Sequence, residues 1–252
     1  MIVVKIGGST LGSTDSTFCD LAAMARGGDI PVVVHGGGAE ASRWLERMSI
    51  PSRFERGLRV TDGDVLPVVV AVFAGLVNKR IVAAINGAGA SAVGFCGADG
   101  RVLECRMADA ALGFVGEPVA VNVAPILALR EAGIIPVIGP IGCVPTVGRP
   151  DQLVNINADT VAGNIAAALR AERLIFLTDV EGVRGPSGAV MRSLSPEDAR
   201  RLIADGAIAG GMIPKVEACL HAASLGVPAQ IIDGRREGAL MSAEGTGTTV
   251  SG

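Results

Sequence analysis

The sequence predicts a three-layer αβα fold with a mainly parallel central sheet, and three observations lead there. Short apolar runs such as Ile2-Val3-Val4 and Val32-Val33-Val34 alternate along the chain with stretches of helical periodicity, the order expected of repeated βα units. Those runs lack polar alternate positions, so both faces of each strand are meant for burial, as in a parallel sheet covered by helices. The 35 glycines are about twice the usual share, have no three-residue period and gather at strand ends, where βα turns need them.

The first strand runs from Ile2 into Lys5-Ile6-Gly7-Gly8-Ser9. A lysine fits poorly inside a strand, but at its carboxyl end Lys5 can aim its ammonium at an anion that the glycine N–H groups also face. The alternative is a strand end with a snorkelling lysine and a tight turn. The common phosphate-binding loop, with its lysine after the glycines, occurs nowhere in the chain. A helix over residues 15–26 leads to a second buried strand ending in His35, then Gly36-Gly37-Gly38 and a helix over 39–48. Here a glycine run stands between a strand end and a helix N-terminus, a place that attracts anions. The loose dinucleotide fingerprint Gly36-x-Gly38-x-x-Ala41 is discounted, because residues 51–62 are charged and broken, not an apolar strand ending in a ribose-binding acid. Arg53, Arg56 and Arg59 fall in that irregular segment, each either a carboxylate clamp or part of a solvated loop.

From Asp64 to about Asn86 the chain is helical and apolar on nearly every face, so one side needs cover beyond the sheet, and a second copy of the chain is its natural source. Residues 91–95 form a third strand. Residues 101–121 read as short strands, a hairpin over one edge, and a helix over 123–131 follows. A buried strand covers 134–139. Leu153-Val154-Asn155-Ile156-Asn157-Ala158-Asp159 then brings a strand into a helix begun by Asp159, with Asn155 and Asn157 at the strand period. Further strands cover 174–177 and 228–232, with helices over 195–205 and from 212 to 225. Gly210-Gly211-Met212-Ile213-Pro214-Lys215 opens the second of these with the chemistry of another helix-start anion site. A short helix and a last strand end the chain.

Composition narrows the partners. At 252 residues and 49% apolar content the chain can fill a large core, which excludes disorder. A net charge of -3, without long basic runs, gives no footprint for nucleic acid or anionic membrane. The five cysteines are scattered and never form C-x-x-C, so neither a disulfide framework nor a zinc site is signalled. The N-terminus lacks the order of a signal peptide, and the longest uncharged run, 132–148, is cut by three prolines. A soluble cytoplasmic protein acting on small molecules is the expectation.

Lys5-x-Gly7-Gly8-Ser9, His35-Gly36-Gly37-Gly38, Gly57-Leu58-Arg59-Val60-Thr61-Asp62, Asn78-Lys79, Asn155-Ile156-Asn157-Ala158-Asp159, Leu177-Thr178-Asp179-Val180 and Gly211-Met212-Ile213-Pro214-Lys215 together resemble, in order and spacing, the amino acid kinase family. The likeness spans essentially the whole chain and is strongest to the branch that acts on N-acetyl-L-glutamate in arginine biosynthesis. Gly94-Phe95-Cys96-Gly97-Ala98-Asp99 departs from the Leu-Ser-Gly-Lys-Asp pattern usual there, without touching a catalytic position.

The resemblance implies the amino acid kinase fold in a single domain, with residues 1–170 as an acceptor-binding lobe and 171–252 as a nucleotide-binding lobe. It implies that Lys5 and Lys215 stabilise the transferring phosphoryl group and that Asp159 holds both lysines. Gly37, Gly38, Arg59 and Asn155 would bind the acyl amino acid, while Gly7, Gly8, Thr178, Asp179, Gly211 and Met212 would line the ATP site. Mg2+ would bridge the phosphates, with no protein carboxylate cage. The acceptor, a carboxylate already ionised at neutral pH, needs charge neutralisation and alignment, not a general base. The implied assembly is a homodimer. Arginine-inhibited relatives carry an extra N-terminal helix, and a chain starting in its first strand is expected to be a plain dimer indifferent to arginine. Alternatives are a kinase for carrier-bound aminoadipate or glutamate, and a catalytically silent sensor. The acidic balance disfavours docking of an acidic carrier.

Overall fold

The computed structural model describes residues 1–7 and 15–251. In chain order its main strands are β1 (Ile2–Ile6), β2 (Val32–His35), β3 (Phe54–Glu55), β4 (Leu58–Arg59), β5 (Ala92–Cys96), β6 (Leu103–Met107), β7 (Gly116–Val121), β8 (Ile135–Gly139), β9 (Ile141–Val144), β10 (Gln152–Asn155), β11 (Arg173–Thr178), β12 (Ser193–Leu194), β13 (Ala229–Asp233) and β14 (Thr248–Val250). The helices are α1 (Asp15–Arg26), α2 (Gly38–Arg47), α3 (Val65–Gly87), α4 (Ala124–Glu131), α5 (Ala158–Ala168), α6 (Pro196–Ala204) and α7 (Met212–Ser224).

Eight strands form the central sheet in the order β12-β14-β13-β11-β1-β2-β8-β5, parallel from β13 to β5, with β14 antiparallel to β13. The chain leaves β1 toward β2 and later returns to β11 on the other side. That reversal opens a crevice at the carboxyl end of β1, the usual ligand position in an open α/β sheet.

Strand period decides what each side chain in the crevice meets. Val3 packs with Val161 and Ile165 of α5, so Lys5, two residues on, faces α5 as well. In β2, Val33 packs on the opposite layer with Val69 and Val77 of α3, and His35 shares that face. Both residues lie at strand ends, where a polar side chain can reach a partner without breaking the apolar layers.

Several expectations are corrected. Residues 101–121 do form the antiparallel pair β6 and β7, but within a second, four-stranded sheet of order β10-β9-β6-β7. Strands β9 and β12 were unforeseen: β9 follows β8 after a single residue, and β12 is two residues long, too short to carry a pattern. Residues 51–62 hold the small hairpin β3–β4. The cap of α5 is Asn157, not Asp159: its Oδ1 accepts from the N–H groups of Asp159 (2.8 Å) and Thr160 (3.1 Å). Residues 234–242 make turns, not a helix.

The long apolar helix is α3, interrupted by a π-helical stretch at Ala71–Val77. It passes a length and hydropathy test for a membrane span, yet Val65, Val69, Val77, Ile81 and Ile85 are core residues packed under the sheet. Its opposite side, with Trp44 of α2 and Met48 just after that helix, borders an apolar trough of about 460 Å³ formed with Pro67, Ala71 and Leu76.

Candidate active site

Lys5 and Asp159 meet across the crevice, Nζ to Oδ1 at 2.7 Å, each only 6% exposed. The approach is an ion pair without hydrogen-bond alignment, because among the described residues Oδ1 has no hydrogen-bond donor. A carboxylate held this way fixes the lysine while leaving ammonium protons for another anion. On the buried face of α7, burial pushes the Cys219 thiol well above its usual range, with Asp159 adding to the rise and Lys215 opposing it, so Cys219 is a neutral packing residue.

Opposite Lys5, Gly37 and Gly38 open α2, whose first turn has no side-chain cap. Its N–H groups and helix dipole therefore face the crevice. At Gly37 an added Cβ would lie 2.9 Å from the Phe73 ring, so only a bare backbone lets the turn close down; at Gly38 the same atom would meet open space.

Arg59 completes the wall. Its guanidinium donates to Gly38 O (2.9 Å), Ser42 Oγ (2.8 Å) and Ser52 Oγ, and lies 4.7 Å over the Phe54 ring. It is buried, and among the described residues no carboxylate pairs with it. Burial lowers its pKa, yet a guanidinium stays charged, so this is a desolvated cation lacking an anion. Asn155, buried nearby, donates from Nδ2 to Thr61 Oγ1 (3.0 Å) and leaves Oδ1 without a partner among the described residues. An unpartnered buried acceptor and an unpaired cation facing one space are the marks of a ligand site.

These groups enclose a cavity of about 210 Å³ whose lining includes Lys5, Gly37, Gly38, Arg59, Asn155 and Asp159. Every acceptor-site residue expected from the sequence is there. Leu58, Phe54 and Phe73 also line it, unforeseen; the hairpin that brings the first two was hidden in the charged segment, and Phe73 looked like one more core residue of an apolar helix.

The nucleotide-side residues are more dispersed. The Gly7 N–H donates to Leu177 O at 3.3 Å, and Gly8 lies outside the described residues. Thr178 is buried and braces the turn after β11, its one hydroxyl proton shared between Val180 O (3.0 Å) and Ile232 O (3.1 Å), while Asp179 is exposed beyond it. Gly211 and Met212 begin α7. Lys215 Nζ lies 3.4 Å from Gly211 O, turned onto its own helix start, and no ion pair within 4.0 Å joins it to Asp159; the expected grip of Asp159 on both lysines reaches Lys5 alone. A separate cavity of about 310 Å³, lined by Glu181, Arg192, Asp233, Arg236, Thr246 and Gly247, was not anticipated. Its signal would have been the polar Asp233-Gly234-Arg235-Arg236 run directly after a buried strand.

The profile of the amino acid kinase family matches residues 1–233. The chain belongs to the amino acid kinase family. Among relatives of this amino acid kinase, an acetylglutamate kinase from Paracoccus denitrificans is 49% identical over 239 residues, covering 93% of this chain and 78% of that protein. An acetylglutamate kinase from Dehalococcoides mccartyi is 44% identical over 258 residues, covering 100% of this chain and 94% of that one. Of solved structures, a Streptococcus mutans protein superposes with a TM-score of 0.87 at 29% identity, covering 99% of this chain and 98% of that chain.

Proposed function

We propose that this amino acid kinase transfers the γ-phosphoryl group of ATP to the side-chain carboxylate of N-acetyl-L-glutamate. The observation that carries the reading is the cavity lined both by Lys5, paired with Asp159, and by Arg59, which has no carboxylate partner among the described residues: two cations on one space, as a dicarboxylate needs. The high identity to acetylglutamate kinases along nearly the whole chain supports the same substrate. Arg59 clamps the α-carboxylate and Asn155 Oδ1 accepts from the amide N–H of the acetamido group. The side-chain carboxylate then points toward Lys5 and the start of α2. One of its oxygens attacks the γ-phosphorus in line, the bond from phosphorus to the ADP oxygen breaks, and the acyl phosphate and ADP leave. No base is needed, since the attacking oxygen carries no proton at neutral pH.

Lys5 neutralises charge that grows on the phosphoryl oxygens, worth about 3 to 4 kcal/mol for a well-placed donor. Lys215, at the start of α7, serves the leaving side once its side chain turns away from Gly211 O. Residues 1–170 form the acceptor lobe and 171–252 the nucleotide lobe, with Thr178, Asp179, Gly211 and Met212 at the ATP site. Among the described residues no three His, Cys, Asp or Glu side chains cluster as a metal cage. Mg2+ arriving with ATP would offset the charge of its phosphates. The apolar trough beside α3 is covered by a second copy, making a homodimer.

The test supplies ATP, Mg2+ and free N-acetyl-L-glutamate and traps the acyl phosphate with hydroxylamine. Hydroxamate from the free acid supports the reading. Hydroxamate from a carrier-linked acceptor alone would replace it with the carrier-dependent reaction, and none from any acceptor would leave a silent binder.

A further inference from the structure

The Asn78-Lys79 pair has no place in the chemistry above, yet Asn78 is fully buried at the back of the glycine turn. Its side chain has a definite polarity. Lys79 Nζ donates to Asn78 Oδ1 (3.0 Å) and to Gly94 O (2.6 Å), and an ammonium can only donate, so Oδ1 is the acceptor end. Independently, Nδ2 faces Val137 O (3.0 Å) and Phe95 O (3.3 Å), carbonyls that can only accept. The third neighbour of Nδ2 is His35 Nε2 at 3.1 Å; the amide shares its two protons among these three neighbours, and because an amide nitrogen does not accept, Nε2 offers its lone pair. The proton of the neutral ring is then on Nδ1, 2.7 Å from Gly36 O, to which it donates.

Room for this chain is built into the backbone. A Cβ on Gly94 would lie 1.9 Å from Asn78 Oδ1, and one on Gly139 would lie 3.2 Å from Phe73 O and 3.4 Å from His35 Nε2. The π-helical stretch of α3 ends at Val77, directly before Asn78, and displaces the residues that follow from the register of a regular α-helix.

We propose that Lys79, Asn78 and His35 form a one-way hydrogen-bond relay that positions the Gly36–Gly37 peptide, so that the Gly37 N–H points into the acceptor cavity. The physical step is the trans peptide: its carbonyl and the following N–H point in opposite directions, so a carbonyl held back on His35 aims the next N–H forward. The three residues touch no substrate; they are positioning residues. The assignment rests on the acetylglutamate kinase reading for which ligand the N–H meets. Burial, with Lys5 and Lys79 nearby, keeps the His35 ring neutral against protonation, consistent with a fixed polarity.

Two independent measurements test it. In 15N-labelled protein at neutral pH, with His221→Gln used to assign the two imidazoles, two-bond nitrogen–proton correlations should show His35 as the Nδ1–H tautomer; an Nε2–H tautomer overturns the relay. In kinetics, His35→Leu should raise the KM for N-acetyl-L-glutamate about tenfold, one well-placed hydrogen bond's worth, with the KM for ATP unmoved. His35→Asn, whose amide nitrogen can take the place of Nδ1, should recover most of that loss. Lys79→Met, at an exposed position, should give a smaller rise of about threefold by releasing the Asn78 amide. A normal acceptor KM in His35→Leu, or no recovery in His35→Asn, overturns the proposal. If His35→Leu does not fold, Lys79→Met and the tautomer decide. If wild-type protein leaves acetylglutamate untouched, the functional reading fails while the tautomer still decides the relay.

Discussion

Replacing Lys5 by methionine should damage stability and turnover together, and a second substitution should separate them. Lys5 and Asp159 are each 6% exposed with Nζ and Oδ1 2.7 Å apart, so removing the lysine strands a buried carboxylate. Breaking a buried pair on one side costs about 3 to 5 kcal/mol, which for a chain of this size lowers Tm by roughly 10 °C. Losing the charge aimed at the phosphoryl group should cut kcat by about a hundredfold or more. In Lys5→Met/Asp159→Leu the stranded charge is gone, and apolar replacement of a buried pair is often neutral, so the melting temperature should return toward wild type while kcat stays low. Thermal unfolding by circular dichroism and initial rates from hydroxamate formation read the two effects. Wild-type turnover in Lys5→Met, or turnover restored in the double variant, would refute the placement of Lys5 in the reaction. A double variant no more stable than Lys5→Met would refute the stranded-charge explanation.

Arg59→Ala should raise the acceptor KM by about ten- to hundredfold, the range for hydrogen bonds to a charged group, without changing the KM for ATP; the opposite pattern would place Arg59 on the nucleotide. Gly37→Ala should cost about 1 to 3 kcal/mol through its clash with Phe73, whereas Gly38→Ala, facing open space, should keep wild-type stability, as urea titration can show. His35 has a pKa lowered to about 4 by burial, then by Lys5 and Lys79, against the raising effect of Gly36 O. Its neutral form therefore supports folding fully above the unfolded value of 6.5, and that support fades as pH falls toward about 4, by roughly 3 kcal/mol in all. Urea titrations across that range should show a shallower slope in a folded His35→Leu variant than in wild type. Leu76→Arg, placing charge in the trough beside α3, should leave a monomer by light scattering where the proposed homodimer predicts a dimer for the wild type, without lowering Tm by more than a few degrees.

Some of this was written in local chemistry. β1, β2 and β11 are continuous apolar runs ended by glycine or polar residues, so their burial and parallel pairing needed nothing beyond the pattern. Lys5 and the Gly36-Gly37-Gly38 run were legible as anion-facing groups at a strand end and a helix start, whereas the roles of Arg59, Asn155 and Asp159 were read from the family resemblance. What the pattern could not carry depends on pairing across long separations. Lys5 meets Asp159 because a two-residue strand period turns it to the α5 layer, and His35 meets Asn78 because the same period turns it to α3. The strand β9 and the hairpin that carries Arg59 lack a local signature, since short segments take their structure from neighbours.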